Sequence, residues 1–276
     1  KEKLVEKIGE MGADIHASTF HSFAQSVIDE FRSELNLLSQ PTLMNESEIN
    51  FLIRENFNDL NYIHSELFRR NPIIAIKKLK IIFDQFREEL FTNEKLRILF
   101  NESKKITEDS TLEPKVIEHN LQLMDAINIY PLYQKWKYSK NRIDYGDMIL
   151  NLWKLISKCK KVKLKLQKRF EHIIVDEFQD NNHALSQVIN IIAKPQNNIT
   201  VVGDDDQCIY SFRGASIQNV SGFKFNFNIN PNYAEVPLME NYRSVMPILK
   251  LANKIIEDNP DRVEKGQLHS KKESDI

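Results

Sequence analysis

An apolar run that stops at two adjacent acids says more about this chain than any other stretch: Ile173-Ile174-Val175-Asp176-Glu177-Phe178-Gln179-Asp180. A short apolar run bounded by charge fits a strand buried on both faces. A second run, Ile199 to Val202, also ends at acids, Gly203-Asp204-Asp205-Asp206, and a third spans Ala234 to Leu238. Helix-length segments lie between the runs. Apolar strands alternating with helices predict an α/β fold with a parallel sheet and helices on both faces. Ligands of such sheets bind beyond the carboxyl ends of the strands, where these acids sit.

The rest of the chain reads mostly as helix. Leu4, Val5, Ile8 and Met11 recur at helical spacing before Gly12, and Asp14 to Phe20 reads as a short strand. Phe20, Phe23, Ala24, Val27, Ile28 and Phe31 then form a helical stripe. Asn45 with Glu48 marks a helix start, followed by Ile49, Leu52, Ile53 and Phe57. Further stripes run from Ile73 to Phe86 and from Leu121 to Trp136. Residues 42–138 show no convincing strand and are expected to be an all-helical insertion. It interrupts an α/β body made of residues 1–41 and 139–258. After Asp144 another helix carries Met148, Leu152 and Leu155.

Charge narrows the function classes. Lys plus Arg is 38 and Asp plus Glu is 39, a net charge of −1. No global basic field exists, so any nucleic-acid site must be a local groove. The cluster Lys158, Lys160, Lys161, Lys163, Lys165, Lys168 and Arg169 fits a DNA path, but fits a solvated helix face better. No apolar run approaches the ~20 residues of a membrane span. The start, Lys1-Glu2-Lys3-Leu4, has no apolar signal region, and a first residue other than Met fits a truncated piece. Two cysteines, Cys159 and Cys208, allow no disulfide framework or four-thiolate site, which points to a reducing, cytoplasmic setting.

Four segments carry chemistry. The Asp176-Glu177 pair suits nucleotide hydrolysis: one carboxylate holds Mg²⁺, directly or through water, and the other polarises the attacking water. A lone Asp-Glu is more often a solvated strand end; the following Gln179-Asp180 and the strand argue otherwise. In Gly203-Asp204-Asp205-Asp206-Gln207-Cys208-Ile209-Tyr210-Ser211-Phe212-Arg213 the spacing of a calcium loop is absent. Gln207 offers an amide able to sense a terminal phosphate or water. Tyr210, Phe212 and Arg213 offer stacking faces and a phosphate-binding fork, though the aromatics equally suit a core. In Glu240-Asn241-Tyr242-Arg243-Ser244, Arg243 can reach a phosphate across a cleft or form a surface ion pair. Ser244 reads as a cap for a helix with Pro247 in its first turn. Thr19-Phe20-His21 offers hydroxyl, ring and imidazole to a nucleic-acid backbone and base, or simply turns the chain into a helix.

Thr19-Phe20-His21, Asp176-Glu177-Phe178-Gln179-Asp180, Gly203-Asp204-Asp205-Asp206-Gln207 and Asn241-Tyr242-Arg243-Ser244 occur in that order. Together they resemble the ATP-binding half of the UvrD/Rep-type superfamily 1 helicases over nearly the whole chain. The resemblance implies a RecA-like, P-loop NTPase fold and ATP with Mg²⁺ as cofactors. It also implies single-stranded DNA and single-strand/duplex junctions as partners, with 3′-to-5′ unwinding. Asp176 would hold Mg²⁺ and Glu177 would be the base. Gln207 would couple the γ-phosphate to DNA, Arg243 would contact the γ-phosphate, and Tyr242 would lie near the adenine. Phe212 would stack on a DNA base where many relatives carry Trp. Tyr210 would bind DNA too, Arg213 would bind DNA and link the DNA and ATP sites, and Thr19, Phe20 and His21 would lie along the DNA.

Two departures stand out. None of the seven glycines (9, 12, 146, 203, 214, 222, 266) starts the family's Gly-x-x-x-x-Gly-Lys-Thr loop, and Cys208 stands where Ser is usual. The loop would precede Lys1, and a second motor domain would follow a link begun by residues 259–276. The expectation is therefore a motor whose intact form hydrolyses ATP, with this piece inactive alone. A helicase-like module that only binds DNA or a partner, or a recombination helicase fused to a nuclease, are the competing readings.

Overall fold

The computed structural model describes residues 6–9, 14–35, 40–57, 60, 63–208, 223, 236–257, 266 and 268–272. The chain separates into two compact units, Lys1–Arg169 with His183–Ile192, and Phe170–Asn182 with Ala193–Ile276.

The first unit is helical. Its helices are α1 (Phe20–Glu30), α2 (Glu46–Phe57), α3 (Glu66–Arg70), α4 (Pro72–Glu88), α5 (Asn93–Thr107), α6 (Pro114–Ser139), α7 (Tyr145–Lys158) and α8 (Lys160–Arg169). Their starts are legible as caps. Thr19, Ser65, Asn71 and Thr92 each accept a backbone N–H of the following first turn. Before α2, Asn45 and Glu48 form the reciprocal bonds of a capping box, at 2.9 and 3.0 Å. One apolar cluster joins α2 through α6, around Ile53, Phe68, Leu79, Phe83, Ile129 and Tyr133. The Phe83 and Tyr133 rings stack at 5.0 Å. Each such side chain, fully buried, contributes about 1.5–3 kcal/mol.

Two short strands bracket this helical stretch. β1 (Thr42–Leu43) pairs in parallel with β2 (Arg142–Ile143). Among the described residues between Met44 and Asn141 there is no strand, but β1 itself lies at the start of the stretch expected to be purely helical. Of Asp14 to Phe20, expected as a strand, residues 14–19 are not strand, and the Thr19 cap starts α1 at Phe20 instead.

Charge is buried where α4, α6 and α7 meet. Arg87, Lys137, Asp144 and Asp147 are all at most 4% exposed. Arg87 Nη1 lies 2.8 Å from Asp144, and Lys137 Nζ lies 2.9 Å from Asp144 and also bonds Asp147. Tyr133 Oη donates to Asp144 at 2.6 Å. Asp144 and Asp147 also cap α7 reciprocally. Burial alone pushes the Asp144 carboxyl up, but Arg87 and Lys137 outweigh it and hold the group well below the usual carboxylate range. Gly146 makes room for the guanidinium, since a Cβ there would lie 2.4 Å from Arg87 Nε.

The basic cluster is partly consumed by packing. α8 and α1 are linked through Arg169 and Lys165 on Glu30, at 2.6 and 2.9 Å, and Lys161 reaches Glu34 at 3.4 Å. These three cations support the helix-face reading.

The second unit carries the strands β3 (Ile173–Val175), β4 (Ile199–Val201), β5 (Glu240–Asn241) and β6 (His269–Ser270), and α10 (Met246–Ile256). β3 and β4 are parallel, with Val175 opposite Val201, and α9 (His183–Ala193) lies between them in sequence. β5 and β6 are also parallel. The parallel pairing and the helical crossover follow the sequence expectation. The described strands nevertheless form separate two-stranded sheets rather than one wide sheet, and Ile174 is 77% exposed, so β3 is not buried on both faces. The third expected strand is displaced. Residues 236–239 are not strand; Met239 O accepts the His269 N–H at 2.9 Å, and the strand itself begins at Glu240. Residues 234 and 235 lie outside the described residues. Ser244 is not the cap of α10; that position is Val245, with no side-chain cap bond.

Lys137→Met should destabilise the fold by about 3–5 kcal/mol, because it strands a buried carboxylate. Lys80→Met, which removes the rim pair to Glu46 at 2.7 Å, should cost less than about 1 kcal/mol. Urea denaturation of the two variants checks the contrast. The Asp144 contribution is complete above its ordinary value of 3.8 and is lost as pH falls below it.

Candidate active site

The parallel ladder sets two loops side by side. Val202 N–H donates to Val175 O at 2.8 Å, and Phe178 N–H donates to Val202 O at 2.9 Å. These bonds carry the pairing past both strands, so the Asp176-Glu177 turn lies against Gly203-Asp204. Asp176 and Glu177 are exposed. Asp176 Oδ1 accepts the Glu177 N–H at 3.0 Å. No described residue hydrogen-bonds Asp176 Oδ2.

Glu177 is left-handed, with φ 50° and ψ 46°. That conformation costs a non-glycine residue about 1–2 kcal/mol. It turns the chain sharply after the strand, so that Phe178 and Gln179 point inward while the two acids stay out. Phe178 is 4% exposed and meets Phe223 edge-on, with ring centres 5.2 Å apart. Gln179 is 2% exposed. Its Nε2 donates to Glu177 Oε2 at 2.6 Å, and its Oε1 accepts the Asp204 N–H at 3.1 Å. A Cβ on Gly203 would sit 2.7 Å from that Oε1, so the approach requires glycine.

Gln207 closes a 3₁₀ turn, Asp205–Gln207, that Asp204 caps. Asp204 Oδ1 accepts the Asp206 N–H at 3.2 Å, and Gln207 Nε2 donates to Asp204 Oδ2 at 2.7 Å. Cys208 Sγ donates to Gln179 O at 3.8 Å, and burial pushes this thiol's pKa up. It therefore stays protonated near neutral pH and keeps a weak donor where Ser would offer a stronger one.

The Tyr242-Arg243 turn has its own geometry. Asn241 Oδ1 accepts the Arg243 and Ser244 N–H groups at 3.0 and 2.7 Å, leaving Tyr242 71% exposed and Arg243 exposed. Tyr242 Oη donates to Glu240, and that bond raises the phenol's pKa. Among the described residues no hydrogen bond or ion pair joins this turn to Asp176 or Glu177. Thr19, Phe20 and His21 belong to the other unit. Thr19 Oγ1 accepts the Ser22 N–H at 3.2 Å as the α1 cap, while Phe20 and His21 are half-buried. Burial lowers the His21 pKa, which favours the neutral imidazole near pH 7. Tyr210, Phe212 and Arg213 lie outside the described residues.

Residues 1–228 match the family model of the UvrD/REP helicase N-terminal domain. The chain belongs to the UvrD/Rep helicase family. It is 30% identical to the ATP-dependent DNA helicase Rep of Buchnera aphidicola subsp. Acyrthosiphon pisum, over 90% of this chain and 34% of that protein. It is 30% identical to the probable DNA helicase II homolog of Mycoplasma pneumoniae, over 98% of this chain and 36% of that protein. The ATP-dependent DNA helicase PcrA of Leuconostoc citreum is 29% identical, over 96% of this chain and 32% of its own length. The chain thus spans about a third of the length of the curated relatives it matches. The UvrD/Rep N-terminal domain is a P-loop NTPase fold, and β3 and β4 are a described parallel strand pair. No described helix is long and apolar enough to cross a membrane.

Two residues of this UvrD/Rep domain escaped the sequence reading. Gln179 was visible only as part of a motif; its signal is an amide between acids with a glycine at the next strand end. Tyr145 is 57% exposed and meets the His21 ring edge-on at 5.5 Å. Its signal is an aromatic at the first position of a helix, just after the Asp144 cap.

Gly203→Ala should displace the Gln179 amide and leave a buried polar group unpaired. The expected cost is about 1–3 kcal/mol. Chemical denaturation of the variant checks it, and unchanged stability would show that the Gln179 side chain can yield.

Proposed function

We propose that the full-length protein is an ATP-driven motor that moves on single-stranded DNA, 3′ to 5′, and opens duplexes at single-strand/duplex junctions. This chain supplies the RecA-like first motor domain, residues 1–41 and 139–258, with a helical insertion at 42–138. Residues 259–276 begin the link to a second motor domain. The observation that carries the reading is the exposed Asp176-Glu177 pair at the end of a parallel strand, tied through Gln179 to Asp204 at the end of the next. The relatives' names, ATP-dependent DNA helicase Rep and PcrA, support the same reading.

Asp176 suits Mg²⁺. No cluster of three or more His, Cys, Asp or Glu able to hold a metal exists among the described residues. Nucleotide-bound Mg²⁺ needs no such cage, since it takes one or two carboxylates and fills its shell with water and phosphate oxygens. When bound, the ion neutralises charge on the β- and γ-phosphates. Glu177 is the base: Gln179 holds Oε2, and no described residue hydrogen-bonds Oε1, which is left to take a proton from water. Gln207 senses the γ-phosphate, Arg243 stabilises its charge and Tyr242 lies beside the adenine. Thr19, Phe20 and His21, with Tyr145, face the DNA backbone and bases, as do Tyr210, Phe212 and Arg213.

Glu177→Gln in the full-length protein should keep nucleotide binding and lose hydrolysis by about 10²–10⁴-fold, because it removes the base and keeps the metal ligand. Phosphate release beside nucleotide binding measures both, and hydrolysis near the parent rate would overturn the assignment.

Phe212→Ala should weaken single-stranded DNA binding by about ten- to a hundredfold, the loss of one base stacked on a ring. Basal hydrolysis should persist, and Phe212→Trp should be tolerated. A core role for Phe212 would show instead as a large drop in melting temperature with unchanged DNA affinity of the folded fraction.

A further inference from the structure

Gln179 links the two loops of the site. Its amide orientation is unambiguous. A carboxylate can only accept and a backbone N–H can only donate, so Nε2 must face Glu177 and Oε1 must face Asp204. A flipped amide would set like against like on both sides. At 2% exposure, water cannot make good either bond. The line continues beyond Asp204, whose Oδ2 accepts from Gln207 Nε2 at 2.7 Å. An unbroken chain of hydrogen-bonded groups therefore runs from the Glu177 carboxylate through the Gln179 amide and Asp204 to the Gln207 amide. Gly203 is the residue that lets Gln179 close it.

We propose that Gln179 is a positioning residue that couples Glu177 to Gln207, so that the carboxylate's orientation follows the state of the Gln207 amide. This rests on the roles proposed above for those two residues. When Gln207 turns toward a phosphate it releases Asp204 Oδ2. The change passes through the Asp204 backbone to Gln179 Oε1 and so to the bond that holds Glu177 Oε2. Glu177 sits in a left-handed conformation that a non-glycine residue resists. A single hydrogen bond therefore has leverage over where its carboxylate points. A buried amide that merely satisfies its neighbours would hold the fold but would not tie one glutamine's effect to the other's.

The test uses full-length protein and steady-state ATP hydrolysis with saturating single-stranded DNA. Gln179→Leu should lower kcat by about ten- to a hundredfold, with KM for ATP within about twofold, as expected for lost orientation of a base. The double variant Gln179→Leu with Gln207→Ala should lose no more than the larger single loss, since both break one chain. Gln179→Glu keeps the acceptor for Asp204 N–H but faces Glu177 with a like charge. It loses the donor to Glu177 and should lower kcat about as much as Gln179→Leu, again with KM for ATP within about twofold. This variant keeps the side chain's size and carries the test if Gln179→Leu fails to fold. Additive losses in the double variant, or parent-like kcat in Gln179→Glu, would overturn the coupling. Glu177→Gln run alongside separates the causes. If it hydrolyses at the parent rate, the base assignment beneath the proposal has failed; if it is inactive while the other losses add, the coupling alone has failed.

Discussion

A polar group taken out of water must find a partner, and both units of this chain are arranged around that requirement. In the first unit Asp144 and Asp147 are buried at the start of α7, and Arg87 from α4 and Lys137 from α6 neutralise them. The buried part of the cluster thus holds two acids and two bases, and Arg87 bonds a third acid, Asp84, at the rim. Their geometry fixes which helix faces meet, because an apolar contact can slide and a buried ion pair cannot without stranding a charge. The same two carboxylates cap α7. The helix that begins with Tyr145 is thereby held at its first turn, where the Tyr145 ring meets His21.

The second unit applies the requirement on a smaller scale. Extending the β3–β4 ladder by two bonds brings the Glu177 turn against Gly203. The turn buries Phe178 and Gln179 and leaves both acids exposed. Gln179 then needs one donor and one acceptor, and it finds Asp204 N–H and Glu177 Oε2. The satisfaction of one buried amide thus orders an exposed carboxylate. Without that bond the Glu177 side chain would be free in solvent, on a backbone whose conformation is itself unfavourable.

Much of this was legible in the sequence, for physical reasons that differ by element. Caps are local, so Asn45 with Glu48 and the stripe from Phe20 to Phe31 announce their helices. The ends of β3 and β4 are marked by an abrupt change from apolar to acidic residues. Pairing is not local, which is why Asp14 to Phe20 reads as a strand although residues 14–19 are not strand and Phe20 begins α1, and why the strand expected at Ala234 to Leu238 starts only at Glu240. The buried charges at Arg87, Lys137, Asp144 and Asp147 were invisible, because each looks like an ordinary surface residue until three helices converge. Gln179 was hidden for the same reason: its role depends on Asp204, twenty-five positions away. In the candidate site the acids, Gln207, Tyr242 and Arg243 were each legible as types, while the bonds that orient them were not.

In the proposed function, Asp176 and Glu177 form the hydrolytic end of a nucleotide site in the full-length protein. A structure of that protein with Mg²⁺ and a non-hydrolysable ATP analogue tests it most directly. Asp176 is expected to bind the ion, directly or through one water, with Glu177 within about 3 Å of a water beside the γ-phosphate. A nucleotide bound elsewhere, with both carboxylates still facing bulk solvent, would contradict it.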